Sequence, residues 1–138
     1  MEPASSHELI DHISELRLRL RAGSLAGLLA EAGHALAELQ LRGAEQTAPA
    51  GSKRLQVTAP DRDRLLVDWL NELIYLAEAE RWVATEFEIE RVTTQSLEVR
   101  ASGVEVPLPR GLVKAATMHG LRVHDVDGRV EAEVILDV

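Results

Sequence analysis

The chain has 138 residues, no cysteine and a formal net charge of −8, a length that suits a single domain spanning 1–138 and burying roughly two-thirds of its unfolded surface. Disulfides, thiolate metal sites and cysteine nucleophiles are excluded, which leaves oxygen and imidazole as ligands, and the acidic balance argues against strong direct binding of nucleic acid in favour of cations and basic partners. No apolar run approaches the roughly 20 residues of a membrane span, and MEPASSHELI has neither the basic start nor the apolar core of a signal peptide, so the expected location is cytoplasmic.

Residues 1 to about 10 read as a loosely held start, because Pro3, Ser5 and Ser6 offer little to bury. From Leu16 to Ala22 the apolar residues Leu16, Leu18, Leu20 and Ala22 alternate with Arg17, Arg19 and Arg21, the period of a half-buried strand. The arginines then share its exposed face, solvated or paired with acidic strands further on. Gly23-Ser24 marks the start of a helix to about Leu41, buried along Leu25, Leu28, Leu29, Ala32, Leu36 and Leu39. His34 is expected at the surface between Glu31 and Glu38. Pro49, Gly43 and Gly51 make 42–53 a surface loop, and Leu55, Val57 and Ala59 form a short strand leading out of it.

The longest stretch of agreeing signals is 61–80, DRDRLLVDWLNELIYLAEAE. Asp61 is its expected N-cap, and Leu66, Leu70, Leu73 and Ala77 recur at helical spacing with Leu65, Trp69, Leu76, Val67 and Ile74 beside them. One strip, Asp68, Asn71, Glu72 and Tyr75, stays polar and is either a solvated face or a place where a partner binds. Beyond it, Glu86–Glu90 and Leu97–Ala101 alternate as a hairpin, and Leu112–Thr117, Leu121–Val126 and Val130–Leu136 are further strand candidates, the last two joined by Asp127-Gly128. The order implies a two-layer α+β fold, with two helices packed on one face of a mostly antiparallel sheet.

No phosphate loop, nucleophile elbow, His-Glu-x-x-His or EF-hand pattern is present. The candidate chemistry lies in Asp11, His12 and Glu15 before the first strand and in Asp137-Val138 at the other end. His12, His119 and His124 could gather with Glu15 around zinc, although their spacing matches no zinc motif.

Three separated segments carry a family resemblance. Leu65-Leu66-Val67-Asp68-Trp69-Leu70-Asn71-Glu72-Leu73-Ile74-Tyr75 resembles the central helix of the archease family, small acidic proteins that assist the RNA-splicing ligase of the tRNA-repair type. Gly111-Leu112-Val113-Lys114-Ala115-Ala116-Thr117 with His119 resembles that family's Val-Lys-Ala-x-Thr-Tyr-His segment, and Leu136-Asp137-Val138 its terminal Leu-Asp-Val. His12-Ile13-Ser14-Glu15 stands where the family has His-Thr-Ala-Asp, Leu16-Arg17 where it has Val-Gly, and Met118 where it has Tyr.

The resemblance implies an archease-like fold and a divalent metal site formed by Glu15, Asp137 and Val138, the last through its backbone or chain-end oxygens. Calcium comes first, with magnesium or manganese as alternatives, because all three suit hard oxygen ligands. The implied role is that of an accessory protein which promotes guanylation and multiple turnover of the RNA-splicing ligase. Asp68, Glu72, Lys114 and His119 are the candidate partner-binding residues. A small metal-dependent hydrolase acting alone, with Glu15 or His119 as general base, is the alternative.

Overall fold

The computed structural model describes residues 2–12, 15–44, 46–107 and 113–138, with the side chains of Asp11 and His12 outside that description. Within these residues ten elements follow in the order β1 (Ser6–His12), β2 (Glu15–Ala22), α1 (Leu25–Gln40), β3 (Ala48–Thr58), α2 (Arg62–Glu80), β4 (Trp82–Val92), β5 (Ser96–Glu105), β6 (Ala115–Thr117), β7 (His124–Val126) and β8 (Arg129–Asp137). The α+β class with two helices holds, while the antiparallel strands divide into two sheets. One has the order β1-β2-β8-β6, with β7 also paired to β8, and the other is β3-β5-β4. Each helix packs on both, α1 on β2 and β4 and α2 on β6 and β4. Among the described residues no helix is long and apolar enough to cross a membrane.

Local chemistry sets the helix starts. Ser24 Oγ accepts the Gly27 N–H at 3.0 Å and Asp61 Oδ1 accepts the Arg64 N–H at 2.8 Å, each satisfying a donor that the first turn leaves without a partner. α2 ends at Arg81 in the left-handed region, φ 56, with its N–H on the Leu76 carbonyl. Asp127 and Gly128 both have positive φ, so the turn expected between the last two strands forms as read.

Two stretches depart from the sequence expectation. The start of the chain is ordered as an edge strand from Ser6, paired with β2 in the register His7↔Leu20 and Leu9↔Leu18. Its outward face mixes Ser6 and Glu8 with Ile10 and its inward face sets His7 beside Leu9, so alternation did not mark it. Within the expected loop 42–53, residues from Ala48 onward belong to β3. Pro49 and Gly51 sit at a bulge where the register shifts between Pro49 and Ser52, and an edge strand can spare the N–H that proline lacks.

The buried centre lies where α1, α2 and β4 meet. Trp69 is 0 % exposed, and its indole N–H donates to the Leu29 carbonyl of α1 at 2.9 Å. The Phe87 ring of β4 stands edge-on to Trp69, 5.8 Å between centroids, and rests on Gly33. A Cβ at Gly33 would lie 2.6 Å from the ring, so α1 and β4 approach only because that side chain is missing. In an isolated helix Gly33→Ala would gain about 1 kcal/mol of propensity. Here we expect it to destabilise by roughly 1–3 kcal/mol through overpacking, with Gly33→Ala/Phe87→Leu recovering part of the loss, as measured by urea unfolding.

Candidate functional site

The first and last long strands of the chain lie side by side. β2 and β8 pair from Glu15↔Asp137 to Ala22↔Val130, which buries Leu18, Leu20, Ala132, Val134 and Leu136 on the helix side. The opposite face carries Glu15, Arg17, Arg19 and Arg21 against Asp137, Ile135, Glu133 and Glu131. The arginines find the acidic strand expected for them: Arg19 Nε donates to Glu133 at 3.0 Å, Arg17 Nη1 reaches Glu133 at 3.4 Å, and Arg21 stands 3.8 Å from Glu131.

At the rim of this face Glu15 and Asp137 are direct neighbours across the ladder. Directly opposed side chains have Cβ atoms roughly 5 Å apart, and like charges so placed oppose the pairing. Asp137 is exposed, Glu15 half-buried, and Val138 follows as an exposed residue. The Asp137 carbonyl is taken by the Lys114 N–H at 2.8 Å, leaving its carboxylate as the available group. Two carboxylates and the Val138 backbone oxygen fit a hard divalent cation in donor type. Among the described residues no three His, Asp or Glu side chains gather closely enough to hold a metal ion, so such a site would rely on backbone oxygen and water as well. That also disposes of a His119–His124–Glu15 cluster. The side chains of Asp11 and His12, and Gly111 and Leu112 of the Lys114 motif, lie outside the described residues.

The partner-strip residues separate into different roles. Asp68 accepts from Arg64 at 3.0 Å one helical turn away, and Glu72 is half-exposed. Asn71 is structural: its Oδ1 accepts the Ala116 N–H at 2.8 Å and its Nδ2 donates to the Ala116 carbonyl at 3.1 Å, closing the free edge of β6 as a neighbouring strand would. Tyr75, one turn further, is 59 % exposed. Lys114 and His119 are exposed at the two ends of β6.

One constellation escaped the sequence reading. His7, not His34, lies between Glu31 and Glu38: its Nδ1 is bound to Glu31 and its Nε2 stands 2.8 Å from Glu38. His34 instead meets the Phe87 ring edge-on at 5.0 Å. Partial burial lowers the His7 pKa, but hydrogen bonds to Glu31 and Glu38 and their negative charge together outweigh it, raising the pKa above the ordinary 6.5. No alternation pointed to it, because His7 shares its face of β1 with Leu9 while Glu8 shares the other with Ile10.

The Archease protein family (MTH1598/TM1083) model matches residues 7–138. The chain belongs to the archease family. An archease from Methanothermobacter thermautotrophicus is 35 % identical over 95 residues, 64 % of this chain and 68 % of that protein. The archease of Methanosarcina mazei is 26 % identical over 141 residues, 96 % of this chain and 95 % of its own length. In fold, the chain is similar to the solution structure of Methanobacterium thermoautotrophicum protein 1598 (TM-score 0.70, 24 % identity, 96 % and 98 % of the two chains). It is also similar to a Thermotoga maritima crystal structure described as an archease and possible chaperone (TM-score 0.63, 20 % identity, 94 % of each). These archease structures share the two helices and antiparallel sheets seen here.

The His7 bridge gives a pH dependence with a defined sign. Because its pKa is raised on folding, its stabilisation is complete below about 6.5 and is lost as pH rises through the higher folded value. Urea unfolding between pH 6 and 8.5 should show stability falling across that window in the wild type, and a flatter profile in His7→Gln.

Proposed function

We propose that this archease is an accessory protein, chaperone-like in role, that activates an RNA-splicing ligase by promoting its guanylation and repeated turnover, with a divalent cation held at the β2–β8 rim. The observation that carries the reading is the register Glu15↔Asp137 in a chain that the archease model matches from residue 7 to its end. Glu15, Asp137 and the Val138 backbone oxygen would hold the ion, calcium first and magnesium or manganese as alternatives. The ion would neutralise the opposed carboxylates and present a Lewis-acidic centre at an exposed rim. The chain's own contribution is rigidity: β8 is fixed on one side by β2 and on the other by β6, itself held by Asn71.

The acidic surface fits the same role. A net charge of −8 lets the protein approach a basic, RNA-binding ligase without competing for its RNA. Asp68 and Glu72 on α2, with Lys114 and His119 beside β6, are the proposed contact residues. The alternative, a metal-dependent hydrolase acting alone, would need a substrate-orienting pocket beside Glu15 and Asp137.

Two experiments test this. Thermal unfolding with Ca²⁺, Mg²⁺ or Mn²⁺ should raise the midpoint, by an amount equivalent to roughly 2.7 kcal/mol at a hundred times Kd. Asp137→Asn should lose both that shift and the stimulation of ligase guanylation by GTP; no shift in the wild type, or an equal one in the variant, rejects the metal site. Reversing charge at Asp68 and Glu72 to Lys should slow association with the ligase and weaken its salt dependence while leaving the unfolding midpoint within a few degrees. Association rates unchanged across ionic strengths remove those two residues from the interface.

A further inference from the structure

Resting on the metal reading above, we infer that Arg17 is a built-in competitor for the metal site, a positioning residue that draws the Glu15 carboxylate away from Asp137 and so weakens cation binding. Arg17 is two residues along β2 from Glu15 and therefore on the same face, opposite Ile135 and next to the Glu15–Asp137 pair. Its Nε stands 3.9 Å from Glu15 Oε1, too far for a hydrogen bond but close enough for direct attraction. That Nε is shielded from solvent and has no hydrogen-bond partner among the described residues. A buried charged donor without a partner is costly, and Glu15, whose carboxylate could relieve it, is also one of the groups the metal would need.

The guanidinium has a second carboxylate to fall back on, because its Nη1 reaches Glu133 Oε1 at 3.4 Å. Glu15 can thus choose between two cations at one rim. When it turns to Arg17, the site loses one of its two carboxylates; when it turns to Asp137 around an ion, Arg17 stays on Glu133. Even then its positive charge remains close beside a divalent ion and opposes it. Both effects act in the same direction. Arg19 is the natural comparison: it carries the same charge on the same face but is already satisfied by Glu133 at 3.0 Å, with Glu8 at 3.9 Å.

The test is titration calorimetry with Ca²⁺ and Mn²⁺ on the wild type, Arg17→Gln, Arg17→Lys and Arg19→Gln. We expect Arg17→Gln to tighten binding about fivefold or more, which is the scale of one close, partly exposed charge pair. Arg17→Lys, which keeps the charge, should stay near the wild type, and Arg19→Gln should change little. In the wild type, the Arg17 Nε–H resonance should move on metal addition as Glu15 withdraws. Binding by Arg17→Gln where the wild type binds none supports the inference in its strongest form. Equal affinity in wild type and Arg17→Gln, or an equal gain in Arg19→Gln, overturns it while leaving the metal reading intact. Absence of binding in every variant overturns both.

Discussion

The fold depends on how closely β4 can approach α1. Phe87 rests on the bare backbone of Gly33 while Trp69, from α2, spends its one polar group on the Leu29 carbonyl next to it. The consecutive elements α2 and β4 are joined there to the distant α1 by a hydrogen bond, an edge-on aromatic pair and a missing methyl group. A buried indole N–H without a partner would be costly, so the Leu29 bond also fixes the rotation of α2 relative to α1. Once α2 has that orientation, its far side places Asn71 against β6 and Asp63 on the Val123 N–H at 2.7 Å. The helix that organises the core therefore also positions the short strands beside the rim.

The second constraint is closure. Arg17 and Glu133 touch although they are 116 residues apart, because β8 inserts between β2 and the short strands β6 and β7. Such pairing forms only after long loops have closed, which is slow and entropically costly until the whole ladder is complete. The rim is thus a property of the finished fold. Glu15 and Asp137 have no relation to one another in the unfolded chain, and their opposition is created by a register that the buried residues Leu18, Leu20, Val134 and Leu136 enforce. A slip of one residue by either strand would turn that strand's buried pair outward.

Electrostatics are arranged around that register. An acidic chain gathers three arginines on β2 and lays them against the acidic column of β8, so the open face of the sheet is nearly balanced while the rest of the surface keeps the negative excess. Individually these half-exposed pairs contribute little to stability. Their larger effect is local: they decide which carboxylates are already engaged and which, at the rim, are left facing another of the same sign.

Periodicity alone determined much of this protein. The arginine strand, both helices with their Ser24 and Asp61 caps, the hairpin and the Asp127-Gly128 turn are set by local patterns, and local patterns suffice because side-chain period and capping chemistry act over a few residues. The family was legible from three motifs, including the Leu136-Asp137-Val138 ending. What only the tertiary structure decided are relations between distant segments: the division into two sheets, the edge strand from Ser6, and β3 extending back through Pro49 and Gly51. The substitution of His7 for His34 between Glu31 and Glu38, and the use of Asn71 as a surrogate strand for β6, are of the same kind. Each depends on which elements become neighbours, and that is fixed by how the buried surfaces of α1, α2 and β4 fit together.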